Sequence, residues 1–401
     1  VKAKHDAVIV AMGRSPIGDF GGSLASLPAH ELAAQVMRAV LDKSGIDSAL
    51  IDDVILGDCI QHPQEANTAR TASLKAGIPD HVPAVTIQRQ CSSAMQSLLY
   101  AAQQIWLGAG NVYLAGGVES MSNAPYVLPQ ARWGARLRHG QMLDSMWSML
   151  FSGSELLDPP GYIMGQTAEG LAKKYDISRE EQDVVALRSH NNAEAAITQG
   201  KFAQEIVAIH IPQRKGEPKK IDTDEHVRMG LKMEDLARLK PVFDPQGTVT
   251  AGNSSGLNDG AAICLVTSRE RAGELGLRPI AKIMAGTAAG CDPKLMGWGP
   301  VPSTQKLLKQ TGVKLEDIEL IELNEAFAAQ YLACEKGLGL NRDITNVNGS
   351  GVGLGHPVGC TGARITISLI QEMKRRQNNL GLATLCVGGG MGMSMLLENE
   401  D

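Results

Sequence analysis

The run Leu41-Asp42-Lys43-Ser44-Gly45-Ile46, followed by Ile51-Asp52-Asp53-Val54-Ile55-Leu56-Gly57, has a counterpart in the second half of the chain. There, Leu308-Lys309-Gln310-Thr311-Gly312-Val313 is followed by Ile318-Glu319-Leu320-Ile321-Glu322-Leu323-Asn324. Each copy reads as a helix end, a glycine that closes it, a short loop and a buried strand. Cys91 follows Gly45 by 46 residues and His356 follows Gly312 by 44. Both precede helical patterns, Ala94 to Leu107 and Gly362 to Lys374. Each pattern leads into an apolar strand backed by glycine, Val112-Tyr113-Leu114-Ala115-Gly116-Gly117 and Ala383-Thr384-Leu385-Cys386-Val387-Gly388. The expectation is an α/β fold of two duplicated halves, a pseudo-twofold pair of sheets with helices between and around them. Cys91 and His356 then occupy equivalent junctions and can meet at the pseudo-dyad.

The stretch 122–250 breaks this pattern. It carries a basic cluster (Arg132, Arg136, Arg138, His139), methionines at 142, 146, 149 and 164, two helical patterns and a charged loop from Gln213 to Asp224. An insertion of that length usually serves recognition or assembly. The expected division is 1–121 plus 251–278 as an N-terminal domain, 122–250 as a loop domain, and 279–401 as a C-terminal domain.

Composition narrows the class. Of 401 residues, 43% are hydrophobic and only 4% aromatic, with 44 glycines and a net charge of −5. That suits an α/β enzyme with tight turns and gives no electrostatic footprint for nucleic acid. The seven cysteines are odd in number and form no CxxC pair, so neither a disulfide framework nor a zinc site is expected. The leading residues run directly into the strand-like Ala7-Val8-Ile9-Val10, and no apolar run is long enough to span a membrane. A cytoplasmic setting is expected.

Three segments carry chemistry. Cys91 sits between the extended run His81–Ile87 and the helix-like run Ser92–Ala102. Helix N–H groups and the helix dipole there favour the thiolate, which is the nucleophilic form. His356 lies in the glycine-dense Gly353-Leu354-Gly355-His356-Pro357, and an imidazole is the usual activator of a thiol. Cys386 opens Cys386-Val387-Gly388-Gly389-Gly390-Met391-Gly392. Two thiols suit a reaction in which a thiolate leaves and a carbanion needs a proton. Asn324-Glu325-Ala326-Phe327 follows a strand and suggests a buried polar network. The glycine-rich segments do not fit a dinucleotide fingerprint, no HExxH occurs, and the remaining histidines lack metal-ligand spacing.

These residues, in this order, resemble the thiolases, meaning acetyl-CoA acetyltransferases and 3-ketoacyl-CoA thiolases. The likeness extends over nearly the whole chain. It includes Ala11-Met12-Gly13-Arg14-Ser15-Pro16-Ile17-Gly18, Gly116-Gly117-Val118-Glu119-Ser120-Met121-Ser122 and the run Thr248–Gly260. The resemblance implies a five-layer α-β-α-β-α core of two duplicated domains with an inserted loop domain. It implies Cys91 as acyl-accepting nucleophile, His356 as its activator and Cys386 as general acid and base. It also implies one oxyanion hole in which a water held by Asn324 binds the thioester oxygen together with His356, and another formed by the N–H groups of Cys91 and Gly388. Coenzyme A enters as cosubstrate, with no tightly bound cofactor and no metal. Its implied contacts are Arg228, Ala251, Ser255, Met164, Phe243, Ala326 and Phe327. The reaction would be reversible cleavage of 3-ketoacyl-CoA or condensation of acyl-CoA, on acetoacetyl-CoA and short-to-medium chains.

The chain departs from the family pattern in places. Cys-Gly-Ser is here Cys91-Ser92-Ser93, His-Met is Ile163-Met164, Asp235 stands where a serine is common, and Ser148–Pro160 is longer. The acyl pocket is expected under the Met142–Met164 segment. The stretch Gln130–Gly140 resembles the loop through which thiolase dimers pair, so a homotetramer is expected. A non-catalytic acyl-CoA or lipid-binding relative is the alternative, opposed by the presence of both cysteines and the histidine. A decarboxylating ketosynthase would want a second histidine at Asn324. A hydroxymethylglutaryl-CoA synthase would want a catalytic glutamate, and a redox sensor would want a nearby resolving cysteine.

Overall fold

The computed structural model describes residues 5–137 and 139–400. Helix Ala29–Ser44 buries Leu32, Ala33, Val36, Met37 and Val40 along one face. It stops at Gly45, whose φ of +70° lets its N–H return to the Leu41 carbonyl. Helix Pro300–Thr311 stops the same way at Gly312, with φ +73° and an N–H to Leu308. The two copies thus close with the same cap.

Strand order repeats as well. In the first half, Ala84–Ile87, Asp53–Gly57, Val112–Ser120, Asn258–Ser268 and Ala7–Arg14 lie side by side. In the second, Leu320–Leu323, Leu380–Val387, Met391–Asn399 and Ala281–Gly290 repeat that order from Asp53–Gly57 onward, with no counterpart strand to Ala84–Ile87 among the described residues. Asp53–Gly57 pairs parallel with Val112–Ser120, and Leu320–Leu323 pairs parallel with Leu380–Val387. The next pairings are antiparallel in both halves. A register shift falls between Ile9 and Ala11 in one copy and between Ile283 and Ala285 in the other.

The expected pair of sheets is in fact continuous. Val8 pairs with Lys282 and Ile9 with Ala281, and these two positions join the halves edge to edge. Helices Ser93–Trp106 and Val358–Arg376 pack against each other between the sheets. Every residue from Val358 to Met373 is buried, as a central helix requires. Missing side chains permit the close approach. A Cβ at Gly117 would lie 2.1 Å from the Gly359 carbonyl oxygen, and one at Gly362 would lie 2.5 Å from the Met95 nitrogen. Helices Ala29–Ser44 and Thr68–Lys75 cover the first sheet's outer side, and Pro300–Thr311 covers the second's.

Between Met121 and Thr250 the chain adds helices Ser145–Phe151, Met164–Lys174 and Arg179–Thr198 with two short hairpins. This stretch is tied to the core by Arg14, which is fully buried. Its Nε bonds Glu205 at 2.7 Å, and its two Nη atoms bond the Asp224 carboxylate at 2.7 and 2.9 Å. Of the basic cluster, Arg132, Arg136 and His139 are exposed, and Arg138 lies outside the described residues.

A buried carboxylate joins the halves near their helix ends. Glu119, on strand Val112–Ser120, accepts the Ile60 N–H at 3.1 Å, the Cys59 N–H at 3.2 Å and the Gly359 N–H at 2.8 Å. The first two belong to the first half and the third to the turn after His356. Replacing Glu119 with Ala leaves three buried N–H groups unpaired, so chemical unfolding should report a loss of about 3–5 kcal/mol. Glu119→Gln, which keeps one acceptor oxygen, should lose less. Equal stability of the Ala variant and the native chain would refute this role.

Candidate active site

Cys91 is set by a turn rather than by the helix alone. Gln90 adopts φ +45°, a left-handed conformation that non-glycine residues rarely take. Hydroxyls hold the turn in place. Ser92 Oγ donates to the Arg89 carbonyl at 3.0 Å, Ser93 Oγ donates to the Gln90 carbonyl at 2.7 Å, and the Arg89 N–H donates to Ser93 Oγ at 2.9 Å. The serine that replaces the more usual glycine at position 92 therefore has a local partner. The Cys91 sulfur faces two donors, the backbone N–H of Gly388 and its own. Burial nevertheless pushes the Cys91 thiol up to about 11 against these donors. The dipole argument anticipates a lowered value, but desolvation outweighs it because the side chain is almost completely enclosed.

His356 starts the turn into helix Val358–Arg376. Its backbone N–H donates to Asn258 Oδ1 at 2.8 Å. Its Nδ1 lies 2.7 Å from Thr361 Oγ1, whose own hydroxyl donates to the Pro357 carbonyl at 2.9 Å. With that proton committed, the Thr361 oxygen accepts from Nδ1–H, which leaves Nε2 as the basic nitrogen. Asn324 Nδ2 lies 3.4 Å from both ring nitrogens. Burial, and next the Arg364 charge, push His356 down to about 3. Cys386 ends strand Leu380–Val387 and is fully buried. Its thiol is held well above its usual range by burial first and by Cys91 next.

Cys91, His356 and Cys386 line one cavity of about 420 Å³. Met164, Arg228, Phe243, Ala251, Ser255, Ala326 and Phe327 line it too. The segment before strand Asn258–Ser268 is laced to the Asn324–Phe327 turn, with Ser255 N–H on the Ala326 carbonyl at 2.9 Å. Phe243 and Phe327 meet edge to face at 6.1 Å, and Gly165 leaves room for the Phe243 ring. At the mouth the Arg228 side chain is 63% exposed and lies 3.7 Å from Asp19. Asp19 also bonds His226 at 2.5 Å, and that bond is the first cause of its lowered pKa.

Asn258, Thr361, His226 and Met296 also belong to this site but carry no signal of their own in the sequence. Thr361 could be found from its place five residues after His356, in the first turn and a half of the following helix. The methionine segment divides. Met164 lines the cavity, Met146 and Met149 are buried in the same hydrophobic cluster without lining it, and Met142 is exposed. Helix Ser145–Phe151 turns Trp147 and Leu150 to the cavity. No group of three or more His, Cys, Asp and Glu residues that could hold a metal ion occurs among the described residues.

Comparison with known proteins gives the following. Residues 7–270 match the family model of the thiolase N-terminal domain, and residues 277–399 that of the thiolase C-terminal domain. The chain is 47% identical to an acetyl-CoA acetyltransferase of Pseudomonas aeruginosa, covering 99% of this chain and 100% of the relative. The fold superposes on a Bacillus anthracis acetyl-CoA acetyltransferase with TM-score 0.95 at 53% identity, over 100% of both chains. It superposes on human mitochondrial 3-ketoacyl-CoA thiolase with TM-score 0.94 at 38% identity, over 99% of this chain and 100% of that one.

A raised thiol and a lowered imidazole leave both neutral at rest. Alkylation of Cys91 by iodoacetamide, followed on its peptide by mass, should therefore rise about tenfold per pH unit between pH 7 and 9. A rate that is already level at neutral pH would indicate a standing thiolate–imidazolium pair and refute this description.

Proposed function

The chain belongs to the thiolase family, and from that premise we propose that Cys91 carries the acyl group, with His356 and Cys386 moving the protons. It is an acyltransferase, and full-length similarity to named acetyltransferases sets aside the non-catalytic reading. The observation that carries the proposal is the convergence of two thiols and one imidazole on a single cavity, with two backbone N–H groups aimed at the Cys91 sulfur.

In the cleavage direction His356 Nε2 takes the Cys91 proton as the sulfur attacks the 3-keto carbon. The new alkoxide is held by the Cys91 and Gly388 N–H groups, donors of the kind that supply the largest share of such catalysis. The C2–C3 bond breaks and its electron pair passes to acetyl-CoA enolate, whose oxygen lies toward Asn324 and His356. Cys386 protonates the enolate carbon. The resulting Cys386 thiolate deprotonates a second CoA thiol, which attacks the acyl-Cys91 thioester and frees the nucleophile. Condensation is the same sequence reversed. A neutral resting triad suits this work, because each proton is donated or accepted only as the substrate arrives.

In the same reading Arg228 reaches the nucleotide end of CoA at the cavity mouth. Ala251 and Ser255 flank the pantetheine, and Met164, Phe243, Ala326 and Phe327 supply the apolar wall. Trp147, Leu150 and Met296 add more apolar surface beside the thiols than an acetyl group needs. This favours acetoacetyl-CoA together with somewhat longer 3-ketoacyl-CoAs. Residues 1–121 with 251–278, 122–250 and 279–401 remain our proposed domains. All seven cysteines are unpaired, which fits the reducing cytoplasm of this reading.

Cys91→Ala should abolish turnover while acetyl-CoA leaves an acetyl mass on the Cys91 peptide of the native chain only. Cys386→Ser should still accept acetyl at Cys91 yet lose condensation, with kcat/KM on acetoacetyl-CoA and longer substrates falling together by at least 10²-fold. Near-native turnover by Cys386→Ser would overturn its role as acid and base. Acetyl label confined to another cysteine would overturn that of Cys91.

Trp133 and Leu137 are 82% and 88% exposed in the stretch Gln130–Gly140. Such apolar surface supports our reading of that stretch as a contact between copies. Light scattering should give about four chains per particle, on the even symmetry of most homo-oligomers. A monomer at all concentrations would remove the proposal.

A further inference from the structure

Arg364 is a full charge buried beside the site that the mechanism above does not use. It lies on helix Val358–Arg376 and has no exposed surface. Its nearest acid is Glu322, with Oε2 3.8 Å from Nη1. Among the described residues Nε and Nη1 have no hydrogen-bond acceptor. Nη2 reaches Asn324 Oδ1 at 3.5 Å. A guanidinium this loosely paired carries a large desolvation cost, and an apolar side chain of similar volume would fill the same space without it. Stability alone therefore does not account for an arginine here.

Chemistry explains what the charge does to its neighbour. Guanidinium offers donors and no acceptor, so the carboxamide atom that faces it is the oxygen. The amide NH₂ must then point the other way, and there it lies 3.4 Å from both nitrogens of His356. Among the described residues nothing else bonds that oxygen, and the Asn324 backbone N–H is held by the Thr384 carbonyl.

We propose that Arg364 is a positioning residue: it holds the Asn324 carboxamide by its oxygen and so keeps the NH₂ donors turned toward His356. This rests on the reading of Asn324 as the residue that holds the water which, with His356, meets the enolate oxygen. A rotated amide would turn its NH₂ donors away from His356 and take away the donor that fixes that water where negative charge develops.

The test is a double-mutant cycle of Arg364→Met and Arg364→Lys in the native and Asn324→Ala backgrounds, with circular dichroism as the check on folding. In the native background Arg364→Met should lower kcat by about 10- to 100-fold in both directions, with KM for CoA within about twofold. In the Asn324→Ala background it should lose nothing further. Arg364→Lys keeps a charged donor and should recover at least part of the loss. Should the Met variant fail to fold, the Lys variant decides alone, because its deficit must vanish without Asn324. Equal losses in both backgrounds would make Arg364 merely structural and overturn the proposal, as would near-native kcat for the Met variant. Near-native kcat for Asn324→Ala itself would instead overturn the donor role of Asn324.

Discussion

Glu119 spans the gap on which the chemistry depends. Cys91 comes from one half of a duplicated chain and His356 from the other, so no local element can set the distance between them. A carboxylate that takes N–H groups from the Cys59–Ile60 loop and from Gly359 fixes that distance with hydrogen bonds instead of bulk. Gly117 and Gly362 complete the arrangement from the steric side: Gly117 lets helix Val358–Arg376 press on strand Val112–Ser120, and Gly362 lets it press on helix Ser93–Trp106 until backbone meets backbone.

Electrostatics inside the site follow from enclosure more than from any single partner. Cys91 and Cys386 are pushed up and His356 is pushed down, and burial is the first cause in each case. The donors at Cys91 therefore do not make a standing thiolate. In the proposed mechanism they serve the oxygen of a bound intermediate, whose charge is transient and whose cost is met only during reaction. The nearby carboxylates belong to the scaffold: Glu325 accepts Ser189 and Asn346, and Glu119 accepts backbone.

The duplication was legible because its signals are local. Gly45 and Gly312 each end a helix, and each is followed by an apolar strand whose type does not depend on distant contacts. The segments that converge on the cavity were legible for a similar reason, since Cys91, His356 and Cys386 each stand at a junction rich in glycine or small polar residues. What the sequence hid depends on tertiary placement. The raised Cys91 thiol reflects enclosure by groups drawn from both halves and from the stretch between them. The φ of Gln90 carries no glycine to announce it. Helical phase, read over only seven residues from Ser145 to Phe151, could not separate Met149 in the core from Leu150 at the cavity. The edge pairing of Val8 and Ile9 with Lys282 and Ala281 joins positions too far apart in the chain for any pattern to link.

That edge pairing, together with the matched register shifts, makes the molecule a hinged book with a very short spine. Each spine strand is displaced by one residue just beyond the seam, at Val10 in one copy and Met284 in the other. A bulge bends its strand and sharpens the local twist, so the two leaves part as soon as they have met. The wedge that opens is where the two central helices lie. Force drawn across the leaves is therefore borne by helix packing and hardly at all by strand hydrogen bonds. An extra or missing residue in one spine strand alone would put its side chains out of phase with the other and close the wedge unevenly, although every catalytic side chain would still be present.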